Sequence, residues 1–321
     1  MKTIAAGLAL GLLCALPAQA QSDYPSRPVH IVIGFPAGSV ADTPARLLAQ
    51  RFSTTLGQQV VVENKAGGGS NIAAEYASRA AKDGYTLLMA TAANTINVTI
   101  MPNLSFDFVK DFTPVAMVAS VPNLLVAHPS LGVSNLKELI ALAKSKPPGE
   151  IIYGSSGIGT STHLAGELIN VMAGIKLGHV PYSGSSQSMT DVLTGRIPLL
   201  FVPAAPAMQH VRSGALKAIA VTQDKRAALA PGVPTIAESG LPGYDIGLWF
   251  ALMAPTGTPK EAIDKVSGAV NEALKLTEVV DALHKAGLEA AAPGTPDGLA
   301  RFIDAEIKKG AEVAKAAGLA K

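Results

Sequence analysis

The stretch HIVIGFPAGSVADTPARLLAQRF, residues 30–52, decides the fold class, because an apolar run passes through a short turn into a helical pattern. Residues 30–35 form a β-rich run, and residues 36–40 are small residues typical of a turn. The apolar spacing that follows predicts a helix over 44–56, with Asp42 suited to its N-terminal end. The segment therefore predicts one strand–turn–helix unit of an α/β protein.

The same unit recurs twice before residue 100. A strand predicted over 60–63 leads into the glycine loop 67–71 and a helix, and a third strand over 86–90 ends in Thr91-Ala92-Ala93-Asn94. In an open α/β sheet, the carboxyl ends of the strands line one crevice. Three strand ends that carry small polar residues therefore predict one half of a binding site.

The long, almost uncharged segment 112–126 predicts an extended crossover into a second α/β unit. That unit should begin with a helix over 134–144 capped by Ser134, and should contain four strands, at 151–153, 177–180, 198–202 and 218–221. The apolar run 246–254 follows a proline- and glycine-rich connection and predicts the return crossover.

Beyond Pro259 the pattern predicts only helices packed on the first unit, with Thr258 and Thr295 as caps, over 260–274, 277–286 and 297–317. The predicted fold class is α/β with two lobes, each a mainly parallel sheet flanked by helices. The two crossover strands should act as a hinge. Lobe 1 is predicted to comprise residues 24–122 and 248–321, and lobe 2 residues 123–247.

The first twenty residues predict an export signal peptide. Lys2 precedes the apolar stretch 4–16, and Ala18-Gln19-Ala20 has the small-x-small pattern of a cleavage site, so cleavage is expected near Ala20. The apolar stretch is too short to span a bilayer. The single cysteine, Cys14, lies within this segment. The mature chain is therefore predicted to be exported and to contain no disulfide.

Composition excludes some classes of partner. The chain has 26 Lys and Arg against 24 Asp and Glu, and removal of Lys2 leaves 25 against 24, so no basic field favours nucleic acid. Aromatic residues make up only 5%, which argues against a base-stacking platform or a sugar-binding groove. A monomer that binds a small molecule is the expected class.

The loop Gly154-Ser155-Ser156-Gly157-Ile158-Gly159-Thr160-Ser161 is the strongest candidate for binding an anion. It precedes a helix whose first N–H groups lack intrahelical partners, and it adds several hydroxyls. A carboxylate is the most natural ligand group. The alternative is a flexible glycine–serine turn with a Ser or Thr cap.

Motifs for catalysis, cofactors and metals are missing from the sequence. Gly157-Ile158-Gly159 lacks the third glycine of a dinucleotide fingerprint, and no phosphate-binding G-x-x-x-x-G-K-[ST] occurs. No serine has the G-x-S-x-G frame, and the histidines lack metal-binding spacing. We therefore predict no catalytic residue, cofactor or metal.

Three residues near the predicted strand ends allow two interpretations each. His163 could contact a ligand or act as a base, but a structural role at the helix start is favoured. Asp42 could accept a ligand donor or stabilise a helix N-terminus and loop amides. Tyr182 could offer its hydroxyl or ring to a ligand or pack at a lobe edge.

Several ordered motifs make the chain resemble a known family over essentially its whole length. They are Tyr24-Pro25-Ser26-Arg27-Pro28, Phe35-Pro36-Ala37-Gly38, Val62-Glu63-Asn64 before Gly67-Gly68-Gly69, Asp83-Gly84-Tyr85-Thr86-Leu87, His163-Leu164-Ala165-Gly166-Glu167, Val180-Pro181-Tyr182, Asp191-Val192-Leu193-Thr194-Gly195 and Pro234-Thr235-Ile236-Ala237-Glu238. The chain is similar to the Bug-type solute-binding receptors of the tripartite tricarboxylate transporter system.

The resemblance implies a periplasmic Venus-flytrap receptor that closes on a carboxylate and delivers it to a membrane permease. It also implies ligand-binding positions, which are Phe35, Ala37, Gly38, Ser39, Asp42, Thr91, Asn94, Ser155, Ser156, Thr160, His163, Tyr182, Pro203 and Ala204. The chain departs from the family pattern where specificity should be determined, at Ser39, Val40, Ser183 and Gln187.

Three functional hypotheses follow from the sequence, of which the weakest is a sensory role, in which the liganded receptor contacts a membrane signalling partner. The first is a periplasmic receptor for an aliphatic or aromatic mono- or dicarboxylate that performs no chemistry on its ligand. The alternative is an exported α/β hydrolase of small esters that uses a serine and His163.

Overall fold

The computed structural model describes residues 24–101 and 103–320. The predicted signal peptide and Cys14 lie outside the described residues. The chain forms two α/β lobes, each built on one sheet, as the sequence predicted.

The first lobe begins with three strand–helix units. Strand β1 pairs in parallel with both β2 and β3, so the carboxyl ends of all three strands point the same way. The elements are β1 (Val29–Ile33), α1 (Asp42–Thr55), β2 (Val60–Asn64), α2 (Asn71–Ser78), β3 (Thr86–Thr91), α3 (Ala92–Ile100) and β4 (Phe112–Val121).

The chain leaves the first sheet after Val121 and enters the second at Asn123. The predicted extended segment is therefore two strands, one in each lobe. The second lobe contains β5 (Asn123–Ala127), α4 (Leu136–Lys144), β6 (Ile152–Ser155), α5 (Ser161–Ala173), β7 (Gly178–Pro181), α6 (Ser185–Leu193), β8 (Leu199–Pro203), α7 (Ala204–Arg212) and β9 (Lys217–Val221).

The return to the first sheet begins at Leu248. The elements from there are β10 (Leu248–Pro255), α8 (Lys260–Ala273), α9 (Thr277–Lys285), β11 (Glu289–Ala290) and α10 (Pro296–Ala316). The prediction of helices alone beyond Pro259 was wrong at β11, which pairs with β4 far earlier in the chain. The lobe boundaries at 122/123 and 247/248 remain our proposal.

Strand directions follow from the crossings. The first sheet has the order β11-β4-β10-β3-β1-β2 and the second the order β7-β6-β8-β5-β9. Strands that belong to strand–helix units run towards the facing lobe, whereas β5 and β10 arrive from that lobe and run antiparallel to their neighbours. Each sheet is consequently mixed, with the crossover strand inside it.

Two of the predicted helix caps were wrong. Asn135, not Ser134, caps α4 by accepting a hydrogen bond from the Glu138 N–H, because the helix begins one residue later than expected. Helix α8 begins after Pro259, while the Thr258 hydroxyl donates to the Pro255 carbonyl. Thr295 does cap α10, accepting from the Gly298 N–H at 3.1 Å.

Helix α10 connects the lobes more than the sequence predicted. It packs on α3 and β4 of the first lobe, as expected, and it also contacts α5 of the second lobe. Its 21 residues extend about 30 Å, which is long enough to reach both. Trp249 is buried against Phe302 of α10 and donates to Glu306. Within the described part of the chain, no helix is long and apolar enough to cross a membrane.

Candidate functional site

A cavity of about 640 Å³ lies between the two lobes. The first lobe contributes the turn after β1, the end of β3 and the start of β10. The second lobe contributes the loop after β6 and the cavity-facing sides of α6 and α7. The crevice predicted from the strand ends of the first lobe is therefore completed by the second lobe.

Five helices direct their N-terminal ends at this cavity. The residues at their N-cap positions all line it, and they are Ala41 of α1, Thr91 of α3, Thr160 of α5, Gly184 of α6 and Pro203 of α7. A helix N-terminus carries roughly half a positive charge and presents unpaired N–H groups. Gly184 makes no side-chain capping bond, so the first N–H groups of α6 remain available to a ligand. The arrangement favours an anion.

The preference of the cavity for an anion does not come from charged side chains. None of the described residues that line the cavity is Lys, Arg, Asp or Glu. The positive potential therefore comes from backbone dipoles and hydroxyl groups. A carboxylate held in this way would receive hydrogen bonds without a counter-ion.

Asp42 organises the first-lobe turn from behind. It lies outside the cavity wall and is buried, and its carboxylate accepts from the Gly38 N–H at 2.9 Å, from Arg46 Nε at 2.7 Å and from Asn64 Nδ2 at 3.0 Å. Burial opposes ionisation, but these hydrogen bonds outweigh it and lower the pKa of Asp42. This position fits the interpretation in which Asp42 stabilises the helix N-terminus and the loop amides.

Two polar atoms of the first lobe, one in a residue of the cavity wall and one outside the wall, are buried without a partner among the described residues. Ser39 lines the cavity, and its hydroxyl oxygen is buried without a hydrogen-bond partner among the described residues. Asn94 accepts from the Thr91 N–H at 2.9 Å, while its Nδ2 has no partner in the same part of the chain. Buried polar groups are normally satisfied, so the unpaired hydroxyl of a residue in the cavity wall is a candidate donor to a ligand.

The second-lobe loop is pre-organised by its own hydroxyls. Thr160 donates to the Gly157 carbonyl at 2.7 Å and accepts from the His163 N–H at the start of α5. Thr162 accepts from the Ser156 N–H at 3.0 Å. Ser156, Thr160 and Thr162 all line the cavity. The loop is therefore a turn held by side-chain hydrogen bonds, and Thr160 is the cap that the alternative of a glycine–serine turn predicted.

His163 lies behind this loop and not in the cavity wall. Its Nδ1 accepts from the Gly159 N–H at 3.3 Å, and its ring stacks on His179 with centroids 4.1 Å apart. His179 in turn contacts the Ser155 hydroxyl at 2.7 Å and stacks on Tyr153. The two imidazoles thus hydrogen-bond to the loop on the side away from the cavity, which fits a structural role for His163.

Burial keeps both imidazoles neutral. Burial and the neighbouring His163 lower the pKa of His179 to about 3. Burial also lowers the pKa of His163, although Glu167 opposes the shift. A lowered pKa makes an imidazole a weaker base, so burial disfavours proton abstraction by His163. Ser155, whose hydroxyl contacts His179, is fully buried and lies outside the cavity wall.

The structure brings eight of the fourteen predicted positions to the cavity, namely Phe35, Ala37, Gly38, Ser39, Thr91, Ser156, Thr160 and Pro203. The other six lie outside the lining, and they are Asp42, Asn94, Ser155, His163, Tyr182 and Ala204. Tyr182 donates to Asp191 at 2.8 Å, and burial and this bond raise the pKa of Tyr182 to about 12. As ligand contacts, all fourteen positions remain predictions.

Sequence reasoning missed the helix faces of the second lobe. Residues on α6, α7 and β10 line the cavity without having been predicted, among them Met189, Leu193, Pro206, Gln209, His210, Leu248 and Phe250. The four-residue spacing of Ser185, Met189 and Leu193 was visible in the sequence as one face of a helix. The four departures from the family pattern, Ser39, Val40, Ser183 and Gln187, all line the cavity.

Two α/β lobes joined by two crossings, with helix N-termini around a cavity between them, define a two-lobed solute-binding receptor of the periplasmic binding-protein class. The chain belongs to TctC, the tripartite tricarboxylate transporter family receptor, whose pattern matches residues 44–319. Members of this family are periplasmic receptors. The family assignment confirms the resemblance seen in the sequence.

Curated relatives match along nearly the whole chain. Protein BugT of Bordetella pertussis is 36% identical over 306 residues, covering 95% of this chain and 93% of its own. A protein from the tcbD-tcbE intergenic region of Pseudomonas sp. strain P51 is 33% identical over 310 residues, covering 96% and 92%.

Solved structures share the architecture closely. Rpa4515 of R. palustris, determined with adipate, superposes with a TM-score of 0.86 at 36% identity, covering 93% of this chain and 99% of that chain. The periplasmic binding protein BugD gives 0.84 at 33% identity, covering 93% and 100%. MatC from Rhodopseudomonas palustris, with bound malate, gives 0.83 at 31% identity, covering 90% and 99%.

Proposed function

We propose that the protein captures a small organic carboxylate, an aliphatic or aromatic mono- or dicarboxylate, and performs no chemistry on it. The observation that carries the proposal is the convergence of five helix N-termini on one cavity whose described lining contains no charged side chain. Such a site stabilises an anion through N–H dipoles.

The relatives support a carboxylate as the ligand and a membrane permease as the partner. One similar structure contains adipate and another malate. A receptor of a tripartite transporter family delivers its ligand to a membrane permease, and we infer the same partner here. We further propose that the chain is exported and acts as a monomer.

Binding would proceed by closure of the lobes around the ligand. One carboxylate would accept hydrogen bonds from α5 and α6 N–H groups of one lobe and from Ser39 of the other. These donors replace the water that the carboxylate loses, so the bound ion keeps its hydrogen bonds only when both lobes contribute. Ligand binding therefore shifts the population towards the closed form.

Thermal unfolding of the mature protein with carboxylates and their neutral counterparts tests the proposal. Adipate, malate and benzoate are compared with adipamide and dimethyl adipate. A carboxylate at about 100 times its dissociation constant should stabilise the fold by roughly 2.7 kcal/mol, and the amide and ester should not.

The same samples distinguish a carboxylate receptor from a hydrolase of small esters. We expect no methanol release from dimethyl adipate, with Ser155→Ala and His163→Ala as controls. Hydrolysis that depends on these residues, or the failure of every carboxylate to stabilise the protein, would overturn the proposed function.

A further inference from the structure

The cavity continues from the helix N-termini into a groove between α6 and α7. On α6, the lining residues Ser185, Met189 and Leu193 recur every four residues, which places them on one face of the helix. On α7, Pro206 and His210 line the cavity with the same spacing, following Pro203 at the N-cap. Both helices therefore face the cavity along their length and not only at their first turns.

The length of the groove follows from helix geometry. Pro203 and His210 are seven residues apart, which corresponds to about 10 Å along the axis of α7 at 1.5 Å per residue. Ser185 and Leu193 of α6 are eight residues apart and extend about 12 Å. A ligand anchored at the helix N-termini would need a body of about this length to reach the far end.

The chemistry of the groove changes along this length. Its middle is walled by the apolar side chains of Met189 and Pro206, and Leu193 lies at the far end of α6. Its far end carries hydrogen-bonding groups, because Gln209 and His210 lie there with their Nε2 atoms 3.1 Å apart. The order from the anchor outwards is thus a polar end, an apolar middle and a far end where Leu193 accompanies two hydrogen-bonding side chains.

We propose that the groove between α6 and α7 is a second subsite, which selects an elongated carboxylate with an apolar body and a polar or acidic distal group. The proposal rests on the proposed function, since the helix N-termini hold the first carboxylate. Met189 and Leu193 contact the body of the ligand, and the imidazole of His210 binds its distal group.

The dimensions give the chain length of the preferred ligand. A carbon–carbon bond of about 1.5 Å advances an extended chain by roughly 1.3 Å, so eight carbon atoms cover about 9 Å and their carboxylate oxygens extend this to about 10 Å. A C8 dicarboxylate therefore matches the distance from the anchor to His210, whereas a C4 dicarboxylate ends inside the apolar part. Chain length and the distal group should both affect affinity.

Isothermal titration calorimetry of the mature protein with a homologous series tests the subsite. The probes are succinate, adipate, octanedioate, dodecanedioate and octanoate. Affinity should rise by about fourfold for each methylene buried, up to about eight carbons, and then fall. Octanedioate should bind more tightly than octanoate, because only the diacid supplies a distal acceptor.

Two variants test whether the groove causes the dependence of affinity on chain length and on the distal carboxylate. His210→Ala should lower the affinity for octanedioate more than for octanoate, so that the ratio of the two affinities approaches one. Leu193→Ser should reduce the gain in affinity per methylene. His284→Ala, an exposed histidine on α9 of the other lobe, is the matched control and should leave the ratio unchanged.

The outcomes separate the two proposals. An affinity that does not depend on chain length, or a diacid-to-monoacid ratio that His210→Ala leaves intact, would overturn the subsite while the carboxylate receptor stands. Failure of all five probes to bind would also overturn the subsite, and the proposed function would be overturned with it only if malate and benzoate fail to bind as well.

Discussion

Ser39 has a buried hydroxyl without a partner among the described residues. The residue lies in the part of the cavity wall that the first lobe contributes. In the free protein this hydroxyl stabilises nothing, so Ser39→Ala should leave the free energy of unfolding nearly unchanged. If the hydroxyl donates to the ligand, the substitution should weaken binding of adipate by about tenfold, equivalent to roughly 1.4 kcal/mol for a charged acceptor.

Calorimetric titration with adipate measures this effect. Ser145→Ala is the matched control, because Ser145 is an exposed serine after α4 whose hydroxyl donates to a backbone carbonyl far from the cavity. Equal affinities for the Ser39 variant and this control would show that Ser39 does not contact the ligand.

The stacked imidazoles of His163 and His179 predict a loss of stability in acid. The pKa of His179 in the folded protein is about 3, against about 6.5 in an unfolded chain. The unfolded chain therefore binds the proton first, and stability falls as the pH drops from about 6.5 towards 3. Between pH 7 and pH 5 we expect a loss on the order of 2 kcal/mol from His179, with a further contribution from His163.

Urea unfolding at several pH values measures this slope. His179→Gln keeps a hydrogen-bonding partner for Ser155 but does not titrate, so its stability should depend less on pH between 5 and 7. Identical slopes for the two proteins would mean that the acid sensitivity arises elsewhere.

At the scale of one helix, Gly166 decides how closely α5 packs on the sheet. A Cβ atom at this position would lie 2.2 Å from Cζ of Tyr153. Tyr153 cannot move aside easily, since its hydroxyl donates to Glu167 at 2.7 Å. Gly166→Ala should therefore destabilise the fold by about 1–3 kcal/mol through overpacking, although alanine is the better helix former.

Gly268→Ala is the matched control within another helix. Gly268 lies inside α8, is exposed, and would place its Cβ atom in open space. This substitution should stabilise the protein by up to about 1 kcal/mol. Denaturant unfolding should give opposite signs for the two variants, and a shared sign would contradict the packing explanation.

For the molecule as a whole, Gly159 allows the two lobes to approach each other. Its Cβ atom would lie 2.0 Å from Oδ1 of Asn97, which belongs to α3 of the facing lobe. Asn97 is held in place because its Nδ2 donates to the Gly69 carbonyl and to Asn71. Gly159→Ala should therefore hinder closure and weaken adipate binding by about tenfold or more, by lowering the population of the closed form.

Gly132→Ala separates this effect from backbone strain. Gly132 and Gly159 both have φ of +75°, but a Cβ atom at Gly132 meets nothing within 4 Å. Both variants should lose about 1 kcal/mol of stability from the left-handed conformation. Only Gly159→Ala should lose affinity in the calorimeter, and equal affinities would show that this contact does not limit closure.

The sequence by itself determined the alternation of strands and helices, the two crossings and the loops that hold small polar residues. These features depend on neighbours in the chain, since hydrophobic period and turn residues act over a few positions. The family resemblance rested on the same local motifs and was confirmed. Local patterns were less able to place single residues, as the shift from Ser134 to Asn135 shows.

Only the tertiary structure decided which side of each loop faces the cavity. Asp42 and His163 follow strand ends just as Ser39 and Thr160 do, yet the first pair supports the loops from behind while the second lines the cavity. Strand β11 has two residues and forms because β4 offers it an edge. The groove between α6 and α7 arises because β6, β7 and β8 are neighbours in one sheet. These outcomes depend on contacts between distant segments, and a cavity between two lobes exists only once both have folded and met.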